Sequence, residues 1–219
     1  MSASAESISD WHQRLRGRFI VFDGPDGSGK STQFHKFTDF AINRGLTVCE
    51  VREPGGTAIG EEIRRVLLDH RFGDLDVVAE MLLYMASRAQ LIAERIAPAL
   101  SRGELVLADR FVSSTLAYQG TAGGMSLDDI CAVAAIACHD VQPDLTVIFD
   151  VTEETAASRL SPLLDRMEAK GAEYHRRVRQ GYLDQAQRDP AHYLVIDANG
   201  DARSVWDALV EQLVLRWGA

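Results

Sequence analysis

Short apolar runs alternate with stretches of helical periodicity along the whole chain. Residues 18–23, 46–51, 105–108, 145–151 and 193–197 are rich in Val, Ile, Leu and Phe over the length of one strand. Near-continuous apolar runs of that length predict strands buried on both faces. Between them, residues 31–44, 58–69, 76–102, 126–139, 153–160, 169–188 and 202–217 read as helices. The 58–69 segment puts Ile59, Ile63, Val66 and Leu67 on one face, and Gly45 stands where a left-handed C′ residue ends the 31–44 helix. Residues 76–102 predict one long apolar helix bent near Pro98. Ser126 with Asp129 three residues on resembles a capping box, and Pro162 interrupts the helix begun at Glu153.

Strands separated by helices predict an α/β fold of three layers (αβα), a five-stranded parallel sheet with right-handed crossovers, and ligands at the carboxyl ends of the strands. Residues 18–219 read as a single domain. Residues 1–17 are polar, carry Glu6 and Asp10, and lack the apolar centre of a signal peptide. They predict a frayed or weakly helical extension.

The chain has 219 residues and is 46% hydrophobic, enough for one full core. Its formal net charge of −9 argues against long nucleic acid as a partner, because phosphate-backbone binding needs a basic face. A single nucleotide needs only a few local cations. Cys49, Cys131 and Cys138 form no framework, which suits a reducing cytoplasm; Cys131 and Cys138, seven apart, predict one buried helix face. No apolar stretch reaches the length of a membrane span.

The candidate chemistry gathers at the strand ends. Gly24-Pro25-Asp26-Gly27-Ser28-Gly29-Lys30-Ser31 fits G-x-x-x-x-G-K-[ST], and Thr32 follows. A strand precedes it and a helix follows. That order aims backbone N–H groups and the positive end of a helix at an anion. Lys30 adds a cation for β and γ phosphates, so residues 24–32 form a candidate ATP site. The Ser31 hydroxyl and the Asp109 carboxylate are candidate Mg²⁺ ligands. Arg110 beside Asp109 supplies a phosphate-binding cation. Arg52-Glu53-Pro54-Gly55-Gly56 breaks the chain after the second strand, and Arg64 lies on the next helix. Tyr84 and Arg88, four apart, share a helical face that suits a nucleobase, one by stacking and the other by donating.

These motifs resemble the thymidylate kinase family of P-loop nucleoside monophosphate kinases. The resemblance rests on the phosphate loop, on Arg52–Gly56, on Tyr84-Met85-Ala86-Ser87-Arg88, on Asp109-Arg110-Phe111-Val112-Ser113-Ser114-Thr115-Leu116-Ala117-Tyr118-Gln119-Gly120, on Gln142-Pro143-Asp144-Leu145-Thr146, and on Asp165-Arg166-Met167-Glu168. It implies the P-loop NTPase fold with a short lid at about 158–168, and ATP-dependent conversion of dTMP to dTDP. It further implies Glu53 and Pro54 beside the sugar and base, and Arg64 and Arg110 on the acceptor phosphate. Tyr84 would stack on thymine and Arg88 reach its O4. Ser114, Thr115 and Gln119 would make polar contacts, Tyr118 would close against the sugar, and Asp26 would lie near the 3′-hydroxyl. Where other members carry an Arg in the loop, position 27 is Gly. A lid arginine, Arg159 or Arg166, is then implied for the transferred phosphoryl. The family also implies a homodimer, with Met81, Leu82, Met85 and Ile92 as candidate contacts. Rival readings are another small-molecule P-loop kinase, for a deoxynucleoside or a different monophosphate, and a catalytically weak nucleotide-binding module. No N-K-x-D motif marks a GTPase.

Overall fold

Inside the sheet, β1 (Phe19–Asp23) is buried at every position and lies between two other strands. The computed structural model describes residues 10–73, 75–159 and 165–218. The other strands are β2 (Val48–Arg52), β3 (Leu105–Asp109), β4 (Leu145–Asp150) and β5 (Tyr193–Asp197). All pair in parallel, in the order β2-β3-β1-β4-β5. Register fixes the edge that matters. Phe22 and Arg52 both pair with Asp109, so the carboxyl ends of β1, β2 and β3 finish side by side.

Helices cover both faces. They are α1 (Lys30–Asn43), α2 (Ala58–Leu68), α3 (Val77–Leu91), α4 (Ala97–Ser101), α5 (Val112–Thr115), α6 (Leu127–Cys138), α7 (Glu153–Arg159), α8 (Ala172–Arg188) and α9 (Ala202–Trp217). One apolar cluster joins α1 and α9 to the sheet through Phe22, Phe37, Phe149 and Leu209. A second lies on the opposite face around Phe19, Leu91, Ile96 and Phe111. Side-chain oxygens cap the helix starts: Thr57 accepts from Gly60 N, Asp76 from Val78 and Ala79 N, and Ser126 from Asp129 N. No helix among the described residues is long and apolar enough to cross a membrane.

Three expectations change, and one unassigned stretch gains structure. The helix expected over 76–102 is α3, a π-helical turn over Ile92–Ile96, and α4. A proline ring at 98 would clash with the carbonyl four residues earlier in a regular helix, and the wider turn accommodates it. The stretch after Asp109, to which the sequence pattern assigns no element, is helical through α5 and a second π-helical turn, Leu116–Ala122. Part of the expected loose extension is docked: Trp11–Leu15 forms a 3₁₀ turn, with Leu15 fully buried and Trp11 stacked on Phe40 at 5.6 Å. Burial of two large apolar side chains outweighs the polar character of the rest of the segment. Finally, Cys138 is buried against the sheet while Cys131, two helical turns earlier, is exposed. The helix meets the sheet-side cluster only at its end. Residues 1–9 of the extension and 160–164 of the lid, including the expected break at Pro162, lie outside the described residues.

Candidate active site

The phosphate loop turns tightly between β1 and α1. Gly27 and Gly29 have φ of +77°, where a side chain is strained, and a Cβ on Gly27 would sit 2.5 Å from the Ala156 carbonyl of α7. The loop therefore requires glycine both for conformation and for the approach of α7. Gly29 is the N-cap residue of α1, so the unpaired N–H groups of the first turn open toward a pocket of about 450 Å³. Residues 25–32 and Arg159 line that pocket. Arg159 donates through Nη1 to the Ala198 carbonyl and through Nη2 to those of Asn199 and Gly200, which holds its guanidinium on the pocket wall.

A second cavity, about 230 Å³, opens at the ends of β2 and β3. Asp26, Lys30 and Glu168 line both spaces, so the two share one wall. Lys30 and Arg110 both face this cavity, as do Glu53, Pro54, Arg64, Tyr84, Asp109, Ser114, Thr115, Tyr118 and Gln119. Lys30 is nearly buried and its Nζ contacts Asp109 Oδ1 closely. Ser31 is exposed on the loop side.

Arg110 sits at φ +73°, a left-handed conformation unusual outside glycine and costing about 1–3 kcal/mol. This turn, immediately after β3, carries its guanidinium back over β1. There Nη1 lies 3.2 Å from the Gly24 carbonyl, 3.1 Å from Ser114 Oγ and 3.1 Å from Tyr182 Oη. Nη2 contacts Asp26, whose other oxygen accepts from Tyr118 at 2.8 Å. Burial by itself would raise the Asp26 carboxyl, but Arg110, then the Tyr118 hydroxyl and Lys30, hold it below the usual carboxylate range. Burial raises Tyr84, with Glu80 adding to it, so Tyr84 presents a protonated ring to the cavity.

Two implied positions fall elsewhere. Arg88 is 1% exposed and stands behind the cavity wall. It donates to Glu53 through Nε at 2.8 Å and Nη2 at 2.5 Å, and to Thr115 at 3.1 Å. It therefore holds two cavity-lining residues rather than lining the cavity itself. Arg166 is turned away from the phosphate loop: Nη2 meets Glu80 at 2.5 Å and Nε donates to the Leu67 carbonyl at 2.7 Å. Between the two lid arginines, Arg159 alone reaches the loop pocket.

The sequence reading also passed over residues that matter. Asp23 is fully buried and accepts from Ser113, Ser114, Tyr182 and the Gly24 N–H. Arg52, Leu68, Asp165, Met167 and Glu168 line the cavity. Arg52 and the Asp165–Glu168 stretch were already part of quoted motifs; Tyr182 and Leu68 carried no local signal at all. Of the four suggested dimer contacts, Met81, Met85 and Ile92 are core residues and only Leu82 is exposed.

The comparisons agree with this geometry. The family model described as thymidylate kinase matches residues 22–208. A thymidylate kinase of Desulforudis audaxviator is 45% identical over 190 residues, 86% of each chain. One from Caldanaerobacter subterraneus subsp. tengcongensis is 41% identical over 198 residues, covering 90% of this chain and 95% of that one. The crystal structure of thymidylate kinase from Ehrlichia chaffeensis superposes with a TM-score of 0.72 at 32% identity, covering 90% of this chain and 97% of that one. A glycine loop at a helix start, an arginine-lined cavity sharing its wall, and these matches along nearly the whole chain lead to one assignment: the chain belongs to the thymidylate kinase family.

Proposed function

We propose that this chain transfers the γ-phosphoryl group of ATP to dTMP, giving dTDP and ADP, with the donor phosphates on residues 24–32 and the acceptor in the cavity behind Lys30. The single observation that carries the reading is the common wall. Lys30 faces both spaces, with the anion-binding start of α1 on one side and Arg110 and Arg64 on the other. Two anionic nucleotides bound there would meet phosphate to phosphate.

In this reading Lys30, Arg110 and Arg159 neutralise charge on the transferred group, whose transition state spreads negative charge over its oxygens. The acceptor phosphate has a second pKa of about 6, so it is already a nucleophile near neutral pH and needs no general base. The Asp26 carboxylate, held ionised by Arg110, serves instead to orient that arginine. Glu53, Pro54 and Tyr84 form the base-side wall, with Tyr118 and Asp26 toward the sugar. Ser31 and Asp109 offer a hydroxyl and a carboxylate, hard oxygen donors of the kind Mg²⁺ takes together with phosphates and water. A bound Mg²⁺ would supply further charge neutralisation on the ATP phosphates.

The described residues pack as one kinase domain, the extension docking on it through Trp11. Leu82 on α3 and Ile136 on α6 are exposed large apolar side chains of the kind a homodimer contact would cover. Three free cysteines, two of them buried, favour a reducing cytoplasmic setting. An ADP-release assay across the nucleoside monophosphates, with Lys30→Ala as control, tests the activity. Highest turnover on dTMP and loss of turnover in the variant are expected; turnover on a different monophosphate, or none, refutes the assignment.

A further inference from the structure

Glu80 lies on α3 one helical turn before Tyr84, and it is fully buried. Its Oε2 accepts from Arg166 at 2.5 Å, and Lys170 reaches both carboxylate oxygens at 3.3 and 3.4 Å. Its Oε1 also accepts from Gln119 Nε2 at 2.7 Å. Every group facing Glu80 is therefore a donor. Gln119 comes from the π-helical turn after α5 and lines the acceptor cavity. A side-chain amide has one donor end and one acceptor end. With Nε2 committed to Glu80, the carbonyl Oε1 is the end left for a ligand. Turning the amide over would place its oxygen against a buried carboxylate, leaving two acceptors facing each other without a proton between them.

We propose that Glu80 is a specificity-determining positioning residue: by holding the Gln119 amide in one orientation, it makes the acceptor cavity select a base edge that offers an N–H. Thymine and uracil carry N3–H. Cytosine carries a lone pair at N3, which would face the fixed Gln119 oxygen. Sites that dictate hydrogen-bond polarity discriminate strongly, because the wrong ligand leaves buried polar groups unpaired. Glu80 touches no substrate in this account and acts only through Gln119. The ion pair with Arg166 adds a second consequence. The segment that supplies Asp165, Met167 and Glu168 to the cavity wall is tied to the same carboxylate that orients the base-reading amide.

This inference rests on the cavity being the dTMP site. The test measures kcat/KM for dTMP and for dCMP with the full-length wild type, Glu80→Gln, Gln119→Met and the double variant. A glutamine at 80 can accept or donate, so either orientation of Gln119 is tolerated. The dTMP-to-dCMP ratio is expected to fall at least about tenfold in Glu80→Gln, through the KM for the monophosphate and with the KM for ATP unchanged. In the Gln119→Met background the same substitution should leave the ratio where it is, since no amide remains to orient. A ratio unmoved by Glu80→Gln, or moved equally in both backgrounds, overturns the role of Glu80. Should Glu80→Gln fail to fold, Glu80→Gln/Arg166→Met removes the buried pair together and is read in the same way. A wild type that forms no dTDP refutes the activity itself; a wild type that forms dTDP with an insensitive ratio refutes only the inference about Glu80.

Discussion

Tyr182 donates its hydroxyl to Asp23 Oδ1 at 2.7 Å, across 159 residues of chain. Both side chains are fully buried, and the same tyrosine oxygen lies 3.1 Å from Arg110 Nη1. Asp23 ends β1 and Tyr182 sits in the middle of α8, so this contact ties the lid-side helix to the strand that feeds the phosphate loop. Together they fix the position of the arginine on which the acceptor phosphate depends. Tyr182→Phe removes one donor from a buried carboxylate, a loss of about 1–3 kcal/mol. Denaturant unfolding should show that loss, and steady-state kinetics should show a raised KM for dTMP with the KM for ATP unchanged. Equal changes in both KM values would contradict the placement of Arg110 on the acceptor side.

The two lid arginines should separate cleanly by phenotype. Arg159 stands on the wall of the loop pocket, so Arg159→Ala should lower kcat by about 10²-fold or more while leaving the melting temperature nearly unchanged. Arg166 is buried against the fully buried Glu80, so Arg166→Ala takes one charged donor from that carboxylate, leaving Lys170 and Gln119 on it, and should cost about 1–3 kcal/mol of stability. Thermal unfolding alongside initial rates checks both. A stable, slow Arg166→Ala chain beside a fully active Arg159→Ala chain would reverse the assignment.

Acid should act through Asp26. Its folded-state pKa is depressed by Arg110 and Tyr118, despite the opposing effect of burial, so its contribution is complete above the ordinary carboxylate pKa and fades as pH falls through the lowered value. Melting curves of the wild type and Asp26→Asn between pH 7 and pH 3 should show a stability gap that is widest near neutrality and narrows below about pH 4. A gap that widens toward acid would mean the carboxyl is protonated in the folded state.

Thymine should be preferred over uracil only modestly. The two bases differ by one methyl, and a methyl-sized apolar contact gives about 1–3 kcal/mol of discrimination. Values of kcat/KM for dTMP and dUMP should therefore differ by about 10- to 200-fold, with dUMP remaining a measurable substrate. Equal values would show that no apolar contact in the cavity senses the 5-methyl group.

Much of this architecture is written in local sequence. The five apolar runs are the five strands to within two residues, and the central β1, β3 and β4, buried on both faces, have almost no polar position to blur their limits. Gly27, Gly29 and Lys30 announce the loop because the required backbone conformations admit few other residues. Arg110 and Asp109 are legible because they directly follow an apolar strand. Tyr182, by contrast, lies in a helix that reads as polar, and Leu68 ends an ordinary amphipathic one. Their roles exist only once α8 and α2 are laid against the ends of the strands.

What the chain determined by itself was therefore the set of elements, the phosphate loop and the family, because periodicity, glycine requirements and contiguous motifs are properties of neighbouring residues. Tertiary structure decided how the cations divide: Arg159 to the loop pocket, Arg166 to Glu80, Arg88 behind Glu53, and Arg110 to a cradle built from β1, the loop and α8. An arginine side chain is long enough to reach several partners. Which one it takes depends on where buried carboxylates from distant segments come to rest, and that is set by packing rather than by sequence spacing.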